Sequence, residues 1–347
     1  MLKEAAFRLS EAQEPVTTVY MGGGTPSLLP PALLSKLILG LKKIYGFDFL
    51  TEFTAEANPG TVTKEWIAVA AELGINRLSF GMQAYQEHLL SLLGRIHRAE
   101  DVASSFRLAR EAGITNISLD LIFGIPGQTE ADWSDTLNAA LSLNPRHISA
   151  YGLIPEEGTP LYHDLQLNRI QLPDPDTERK MYNTAVRLLN NNGFSRYEIS
   201  NFAQEGYECV HNIGYWTQIP YIGLGVSAAS MTGLNHSGRG LSYRRRTNPE
   251  SLDEYFHMVD KDHAVIPDEL ISPAASRFET VMLGLRMMQG ISENDFLRKH
   301  GISLDTLYGD KMRKMEQAGL LFREGETWKM TERGLDIQNS VLVELMD

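Results

Sequence analysis

Cysteine is nearly absent from this sequence, which has a single one, Cys209, among 347 residues. One thiol can form neither an intramolecular disulfide nor a CxxC metal site, so a reducing compartment is predicted. No apolar run approaches the ~20 residues needed to span a bilayer. The charged start, MLKEAAFRLSEAQEP, lacks the apolar core of a signal peptide. These absences together predict a cytoplasmic protein.

Basic residues are also in deficit, since 32 Lys and Arg stand against 44 Asp and Glu, for a formal net charge of −12. A surface this acidic repels a phosphate backbone, so nucleic-acid binding is not expected. The run Arg244-Arg245-Arg246 is a local exception and is interpreted as a solvated basic loop.

The first two-thirds of the chain alternates short β-rich runs with longer helical patterns. Strands are predicted at 17–21, 50–57, 77–82, 116–123 and 147–153. Helices are predicted at 30–45, 64–73, 86–93, 99–112, 130–143 and 176–191. Five consecutive β/α units predict an α/β fold with a parallel sheet and crossover helices, either open or closed into a barrel.

The pattern changes near Tyr197, where short strand-like segments and Gly-rich turns begin and continue to about Asn248. The remainder is mostly helical and ends in a helix, two short strands and a final helix, which predicts a winged-helix-like module. It has no basic helix to enter a DNA groove, so a packing role is expected. The predicted domains are therefore 1–195, 196–248 and 249–347.

Glycine-rich and polar motifs fall at or near the ends of the predicted strands. They are Gly22, Gly23 and Gly24 with Thr25, then Glu56, Gln83, Arg95 and Asp120. The carboxyl ends of parallel strands share one edge of a sheet, where α/β proteins bind ligands. Taken singly, the glycines also suit a tight turn and Glu56 a helix cap. The glycine spacing matches neither nucleotide-binding motif.

In this order and spacing the motifs are specific. The blocks VYMGGGTPSLL, EANPGT, RLSFGMQ with LGRIH, LDLIFGIPGQT and ISAYGLIPEEGTPLY resemble the oxygen-independent coproporphyrinogen III oxidase family of radical S-adenosylmethionine (SAM) proteins. The resemblance covers the chain from about Thr17 onward and implies a partial (β/α)₆ barrel. It implies that Gly22, Gly23, Gly24 and Thr25 bind the amino-acid end of SAM, and that Glu56, Gln83, Arg95 and Asp120 contact its polar groups.

The segment HNIGYW resembles the HNxxYW signature of the haem-chaperone (HemW) branch. This implies haem binding by His211, Asn212, Tyr215 and Trp216, with His211 on the iron, and delivery to a haem-accepting protein. An imidazole can ligate haem iron, and aromatic rings offer flat apolar surface to a porphyrin. Two alternatives stay open. In the first, His211 and Asn212 satisfy buried backbone groups while the aromatic side chains fill a core. In the second, Cys209 supplies a thiolate, although a buried inert thiol is commoner.

The family's CxxxCxxC loop, which holds a [4Fe–4S] cluster, has no counterpart in this sequence. Met1–Pro15 resembles the tail of the family's first crossover helix, so the first strand and cluster loop are expected to be missing. The chain is then a shortened member or a cluster-less relative, inactive in radical chemistry and weak in SAM binding. The alternative function, coproporphyrinogen III oxidase in porphyrin biosynthesis, requires that segment. A homodimer through an unpaired sheet edge and a peripheral membrane contact are left open.

Overall fold

The computed structural model describes residues 1–237, 240–261 and 268–346. Its helices are α1 Leu2–Phe7, α2 Pro31–Tyr45, α3 Lys64–Glu72, α4 Glu87–Leu92, α5 Ala99–Glu111, α6 Glu130–Ser142, α7 Pro160–Gln166, α8 Pro175–Asn191, α9 Val210–Trp216, α10 Leu252–Asp260, α11 Pro273–Gly284, α12 Glu293–His300, α13 Leu304–Gln317, α14 Glu332–Asp336 and α15 Gln338–Met346. Short 3₁₀ turns cover Arg8–Glu11 and Pro26–Leu28. Within the described ranges, no helix is both long and apolar enough to cross a membrane.

The strands are β1 Thr18–Met21, β2 Glu52–Ala57, β3 Arg77–Gln83, β4 Asn116–Phe123, β5 His147–Gly152, β6 Ser195–Arg196, β7 Asn201–Ala203, β8 Ala229–Ser237, β9 Gly240–Thr247, β10 Glu269–Ile271, β11 Ile291–Ser292, β12 Leu321–Glu324 and β13 Thr327–Met330. Residues 238–239 of the predicted Gly-rich turn, and residues 262–267 and 347 of the predicted last domain, lie outside the described residues.

Two compact units make up the chain. The sheet unit comprises Thr18–Ile38 and Leu50–Cys209. The C-terminal unit comprises Met1–Thr17, Leu39–Phe49 and the chain from Val210 onward. The three domains expected from the sequence stay a prediction.

One seven-stranded sheet organises the sheet unit, with the order β1-β2-β3-β4-β5-β7-β6. Strands β1 to β5 are parallel neighbours, and β7 returns antiparallel to β5. The predicted parallel α/β sheet is confirmed, with strand bounds within two residues of those expected. The helix starts follow side-chain capping, because Thr63 accepts from the backbone N–H of Trp66 and Thr129 from that of Asp132.

The parallel strands present an apolar face and a polar face, because successive side chains point to opposite sides. The apolar face carries fully buried Ala55, Leu78, Phe80, Leu119 and Ile148. The polar face carries Glu56, Ser79, Ser118, Asp120 and Ser149, and cross-strand register aligns Glu56 with Ser79 and Asp120 with Ser149. The candidate site residues on β2 and β4 therefore share one face.

The central feature of the C-terminal unit is the antiparallel β8–β9 hairpin, whose edge pairs with β10. The three consecutive arginines lie on β9, so their interpretation as a solvated loop is wrong. Arg246 Nε lies 2.7 Å from Asp268, Arg245 Nη2 lies 3.0 Å from Glu279, and Arg244 Nη1 lies 3.8 Å from Asp268. Acidic partners on other elements thus hold these basic side chains on a regular strand.

The N-terminal helix α1 belongs to the same unit through a buried carboxylate. Glu4 is 1% exposed and accepts hydrogen bonds from Tyr255 Oη at 2.6 Å, Asn248 Nδ2 at 2.6 Å and the Gly225 N–H at 3.0 Å. Three donors satisfy a charge that would otherwise be costly to bury.

The last part of the chain forms a small three-stranded sheet, β11-β13-β12, packed with α12, α13, α14 and α15. Trp328 on β13 is 1% exposed, and Phe296 on α12 and Leu304 on α13 are fully buried. This helix, hairpin and helix arrangement agrees with the predicted winged-helix-like module.

Candidate functional site

The glycine-rich segment after β1 lies against the carboxylate of Glu56. Tyr20 Oη donates to Glu56 Oε1 at 2.7 Å, and the Gly23 N–H also bonds to this carboxylate. A Cβ on Gly22 would lie 2.7 Å from the Tyr20 ring and 2.8 Å from the Glu56 carboxyl, so only glycine fits there. Gly23 has a φ of +79° and open space where a Cβ would be, which leaves its backbone accessible to a ligand.

Thr25 and Arg95 both hydrogen-bond to Asn58, a residue of the EANPGT block that was not among the predicted site residues. Asn58 Nδ2 donates to Thr25 Oγ1 at 3.0 Å, and Arg95 Nη1 donates to Asn58 Oδ1 at 3.4 Å. The Gln83 amide lies over Gly81, within 2.6 Å of where a Cβ would be. Gln83 also has a φ of +63°, a conformation that costs a non-glycine residue energy and is frequent at ligand sites.

Asp120 supplies a second carboxylate on the same face. Ser79 Oγ donates to both of its oxygens, at 3.1 and 3.0 Å, and Ser149 also bonds to it. Burial raises the pKa of Asp120, against these hydrogen bonds. Burial likewise raises the pKa of Glu56, and the charge of Asp120 raises it further. Two partly buried carboxylates on the same face of the sheet favour a cationic ligand group.

All eight predicted SAM residues lie in the sheet unit. The structure brings Gly22, Gly23 and Glu56 together, and it joins Thr25 and Arg95 through Asn58. Gln83 lies over Gly81, and Asp120 bonds to Ser79. Gly24, with a φ of +159°, also has open space where a Cβ would be. Asn58 and Tyr20 were missed because nothing local in the sequence distinguishes a bridging amide or phenol from a turn or strand residue.

The HNIGYW motif forms α9 in the C-terminal unit. His211 Nε2 lies 2.9 Å from Tyr215 Oη, one helical turn away, and the two rings meet edge-on at 4.8 Å. Tyr215 is 43% exposed, and His211, Asn212 and Trp216 are half-buried. None of the four side chains is fully buried, and the alternative packing role stays a prediction.

Cys209 is the residue directly before α9, and it is completely buried in the sheet unit. Its thiol donates to Glu52 Oε1 at 3.3 Å, and its backbone N–H donates to Tyr197 Oη at 3.3 Å. Tyr197 Oη in turn lies 2.8 Å from His147 Nε2, and burial lowers the pKa of His147 well below its ordinary value. The structure thus agrees with a buried, inert thiol.

An iron–sulfur cluster held by three thiolates does not fit the residues of this chain, which has one cysteine. Among the described residues, no group of three or more His, Cys, Asp or Glu side chains is placed to hold a metal ion. The residues are chemically compatible with SAM, because its amino and sulfonium groups are cationic, the site carries two carboxylates, and there is open space where a Cβ on Gly23 or Gly24 would be.

Two family models match this chain, one in its N-terminal half and one near its C-terminus. The Radical SAM superfamily model matches residues 1–140, and the HemN C-terminal domain model matches residues 271–337. The chain is 35% identical to the heme chaperone HemW of Bacillus subtilis over 95% of this chain and 85% of that protein. The chain belongs to the HemW family of radical-SAM proteins. The Escherichia coli HemW is 30% identical over 94% of this chain and 83% of its own length.

The chain is also similar to a protein from an animal. The mitochondrial radical S-adenosyl methionine domain-containing protein 1 of Danio rerio is 29% identical over 98% of this chain and 77% of its own length. Among solved structures, the coproporphyrinogen III oxidase HemN of E. coli superimposes with a TM-score of 0.81, over 99% of this chain and 82% of that one. At 20% identity this likeness shows the shared fold alone.

Proposed function

We propose that this chain is a haem-binding chaperone that holds haem through the HNIGYW helix α9 and passes it to an acceptor protein. The observation that carries the proposal is the pairing of half-buried His211 with exposed Tyr215 on α9, where an imidazole nitrogen lies 2.9 Å from the phenol oxygen and the two rings meet edge-on. The HemW relatives bear the name heme chaperone, and they match over most of their length.

In this proposal His211 ligates the haem iron, and Asn212, Tyr215 and Trp216 form the surrounding surface. The imidazole nitrogen that bonds Tyr215 Oη is the one that would bind iron, so Tyr215 holds the ring in place until haem arrives. When bound, haem would supply an open iron coordination position, a flat apolar ring and its carboxylate side chains. The side chains of α9 do the binding and orienting.

The test is a haem titration followed by the Soret band, comparing the unchanged chain with His211→Ala. The affinity of His211→Ala is expected to fall by about tenfold or more, since even residues that only orient metal ligands contribute about 10–100-fold. His257→Ala, an exposed helical histidine of the same unit, is the matched control and should leave the titration unchanged. Equal affinity in both variants would reject the proposal.

We further propose that the sheet unit binds SAM through the residues around β1 to β4. Gly22, Gly23, Gly24 and Thr25 would hold its amino-acid end, and Glu56, Gln83, Arg95 and Asp120 its polar groups. SAM supplies a sulfonium cation, and these carboxylates orient it. Calorimetric titration should show weak binding that Glu56→Gln abolishes, because without a cluster no metal anchors the methionine end.

The coproporphyrinogen III oxidase activity is not proposed for this chain, since its radical chemistry depends on the three-thiolate cluster that does not fit here. A homodimer, a peripheral membrane contact and a cytoplasmic location stay predictions. β1 lies at one edge of the described sheet, and sheet edges are places where a second copy of a chain can add a strand.

A further inference from the structure

A cleft of about 420 Å³ in the C-terminal unit begins at the Tyr215 ring of α9. Its floor is one face of the β8–β9 hairpin, where Met231 on β8 pairs with Arg245 on β9. Tyr221 forms one wall, and Glu279 on α11 forms the other. None of the residues other than Tyr215 carries a role in the proposed function so far.

The cleft continues the aromatic surface of the motif. Tyr215 and Tyr221 meet edge-on with ring centroids 4.7 Å apart, as His211 and Tyr215 do at 4.8 Å. The Tyr243 ring, only 1% exposed, adds a third tyrosine to the lining. A flat apolar molecule held at His211 would therefore find aromatic edges and faces leading into the cleft.

Side chains that can donate hydrogen bonds to a carboxylate also line this cleft. Arg245 Nη2 donates to both oxygens of Glu279, at 3.1 and 3.0 Å, and Tyr243 Oη donates to the same carboxylate. The guanidinium carries five N–H donors, and its Nη1 lies 4.0 Å from Glu269, beyond hydrogen-bond distance. Arg245 can therefore bind a second carboxylate while it keeps Glu279.

We propose that this cleft holds one edge of the haem ring and that Arg245 binds a haem propionate. The inference rests on the proposed haem binding, and it assigns the Arg245 guanidinium as the group that binds a carboxylate side chain of the porphyrin. Haem combines a flat apolar ring with carboxylates on one edge, which are the two features that the cleft matches. Its volume lies toward the low end of ligand pockets, about 300–1,000 Å³, and suits an edge rather than the whole ring.

The decisive comparison is between haem and haem dimethyl ester, whose propionates carry no charge. Both are titrated in the same detergent-containing buffer against the full chain and Arg245→Gln. Arg245→Gln is expected to weaken haem binding by about tenfold, because a charge-assisted hydrogen bond is lost. Binding of the ester should change less than about twofold, since it offers no carboxylate to the guanidinium.

Arg244→Gln is the matched control, since Arg244 is the neighbouring residue, is 62% exposed and pairs with Asp268 instead. It removes the same charge and should leave both titrations within about twofold, because an exposed pair contributes little. If Arg245→Gln does not fold, the double variant Arg245→Gln/Glu279→Gln removes both charges of the pair and carries the same comparison.

Each outcome decides one point. A loss that is specific for haem over its ester supports the propionate contact. An equal loss for both ligands, or an equal effect of Arg244→Gln, overturns it. Failure of the unchanged chain to bind haem, or an unaltered titration in His211→Ala, overturns the proposed function itself. Haem binding that depends on His211 but not on Arg245 overturns only the role of the cleft.

Discussion

Gly22→Ala tests how tightly the glycine segment is built against Glu56. The new Cβ would lie 2.7 Å from Tyr20 Cε1 and 2.8 Å from Glu56 Cδ and Oε1, well inside ordinary contact distance. Both side chains would have to shift by about half an ångström or more to restore ordinary van der Waals contact. That shift disturbs the 2.7 Å hydrogen bond from Tyr20 to Glu56. The φ of Gly22 lies outside the left-handed region, so alanine brings no backbone strain of its own.

The expected cost in free energy of unfolding is about 2 kcal/mol, since overpacking a well-packed site costs about 1–3 kcal/mol. Gly23→Ala is the matched control, because its Cβ would meet nothing within 4 Å and its φ is +79°. It should cost about 1–2 kcal/mol through backbone strain alone.

The two costs are separated by repeating both substitutions in a Glu56→Ala background. The cost of Gly22→Ala should fall there, because one of the two clashing side chains is gone, whereas that of Gly23→Ala should not change. Urea unfolding followed by tryptophan fluorescence measures both, since Trp66 and Trp133 are buried in the sheet unit. A Gly22→Ala cost below about 0.5 kcal/mol, or one equal in both backgrounds, would refute the steric argument.

Three further predictions concern buried polar groups and the haem ligand. Relative to the unchanged chain, Asp120→Asn should become increasingly stabilising as pH rises above the ordinary aspartate pKa of about 4. The folded-state pKa of Asp120 is raised, so the contribution of this residue to stability is complete below the ordinary aspartate pKa and is lost as pH rises. Urea unfolding of both proteins at several pH values tests this. A stability difference that does not change with pH would contradict it. Trp133→Phe should cost about 1–3 kcal/mol more than Trp66→Phe in the same assay. Both indoles are buried, but Trp133 Nε1 donates to a backbone carbonyl of α8 at 2.8 Å, whereas Trp66 Nε1 has no partner among the described residues. Equal losses of unfolding free energy in the two variants would contradict this prediction. Tyr215→Phe should tighten haem binding by about two- to tenfold, because haem no longer displaces a hydroxyl from His211 Nε2. Weaker binding in the Soret titration would show that the hydroxyl helps to hold haem instead.

The local pattern of the sequence determined the parallel part of the sheet unit. Alternating β-branched runs and helical periodicity predicted β1 to β5 to within two residues, but not β6, β7 or α7. Helix caps are local in the same way, as at Thr129, because a capping side chain bonds to N–H groups only two or three residues away. Local signals of this kind act over one or two turns of chain, so a single sequence carries them in full.

The sequence also predicted one region for the SAM candidates, since most of them lie at or near the ends of predicted strands and parallel strands end at one edge. It did not show which of them touch. The bridge from Thr25 through Asn58 to Arg95 joins segments that are more than 30 residues apart in sequence. Such pairs depend on strand register and twist, which only the assembled sheet sets.

In the C-terminal unit the sequence predicted even fewer of the long-range contacts. HNIGYW marked a candidate haem site, but its helix, its exposure and the cleft beside it had no sequence signal. The three arginines suggested a loop, because charge alone does not reveal that Asp268 and Glu279 would meet them on a strand. Sequence determined which groups this chain carries. The tertiary structure decided which of them meet, because burial and pairing over long separations exist only after the chain has folded.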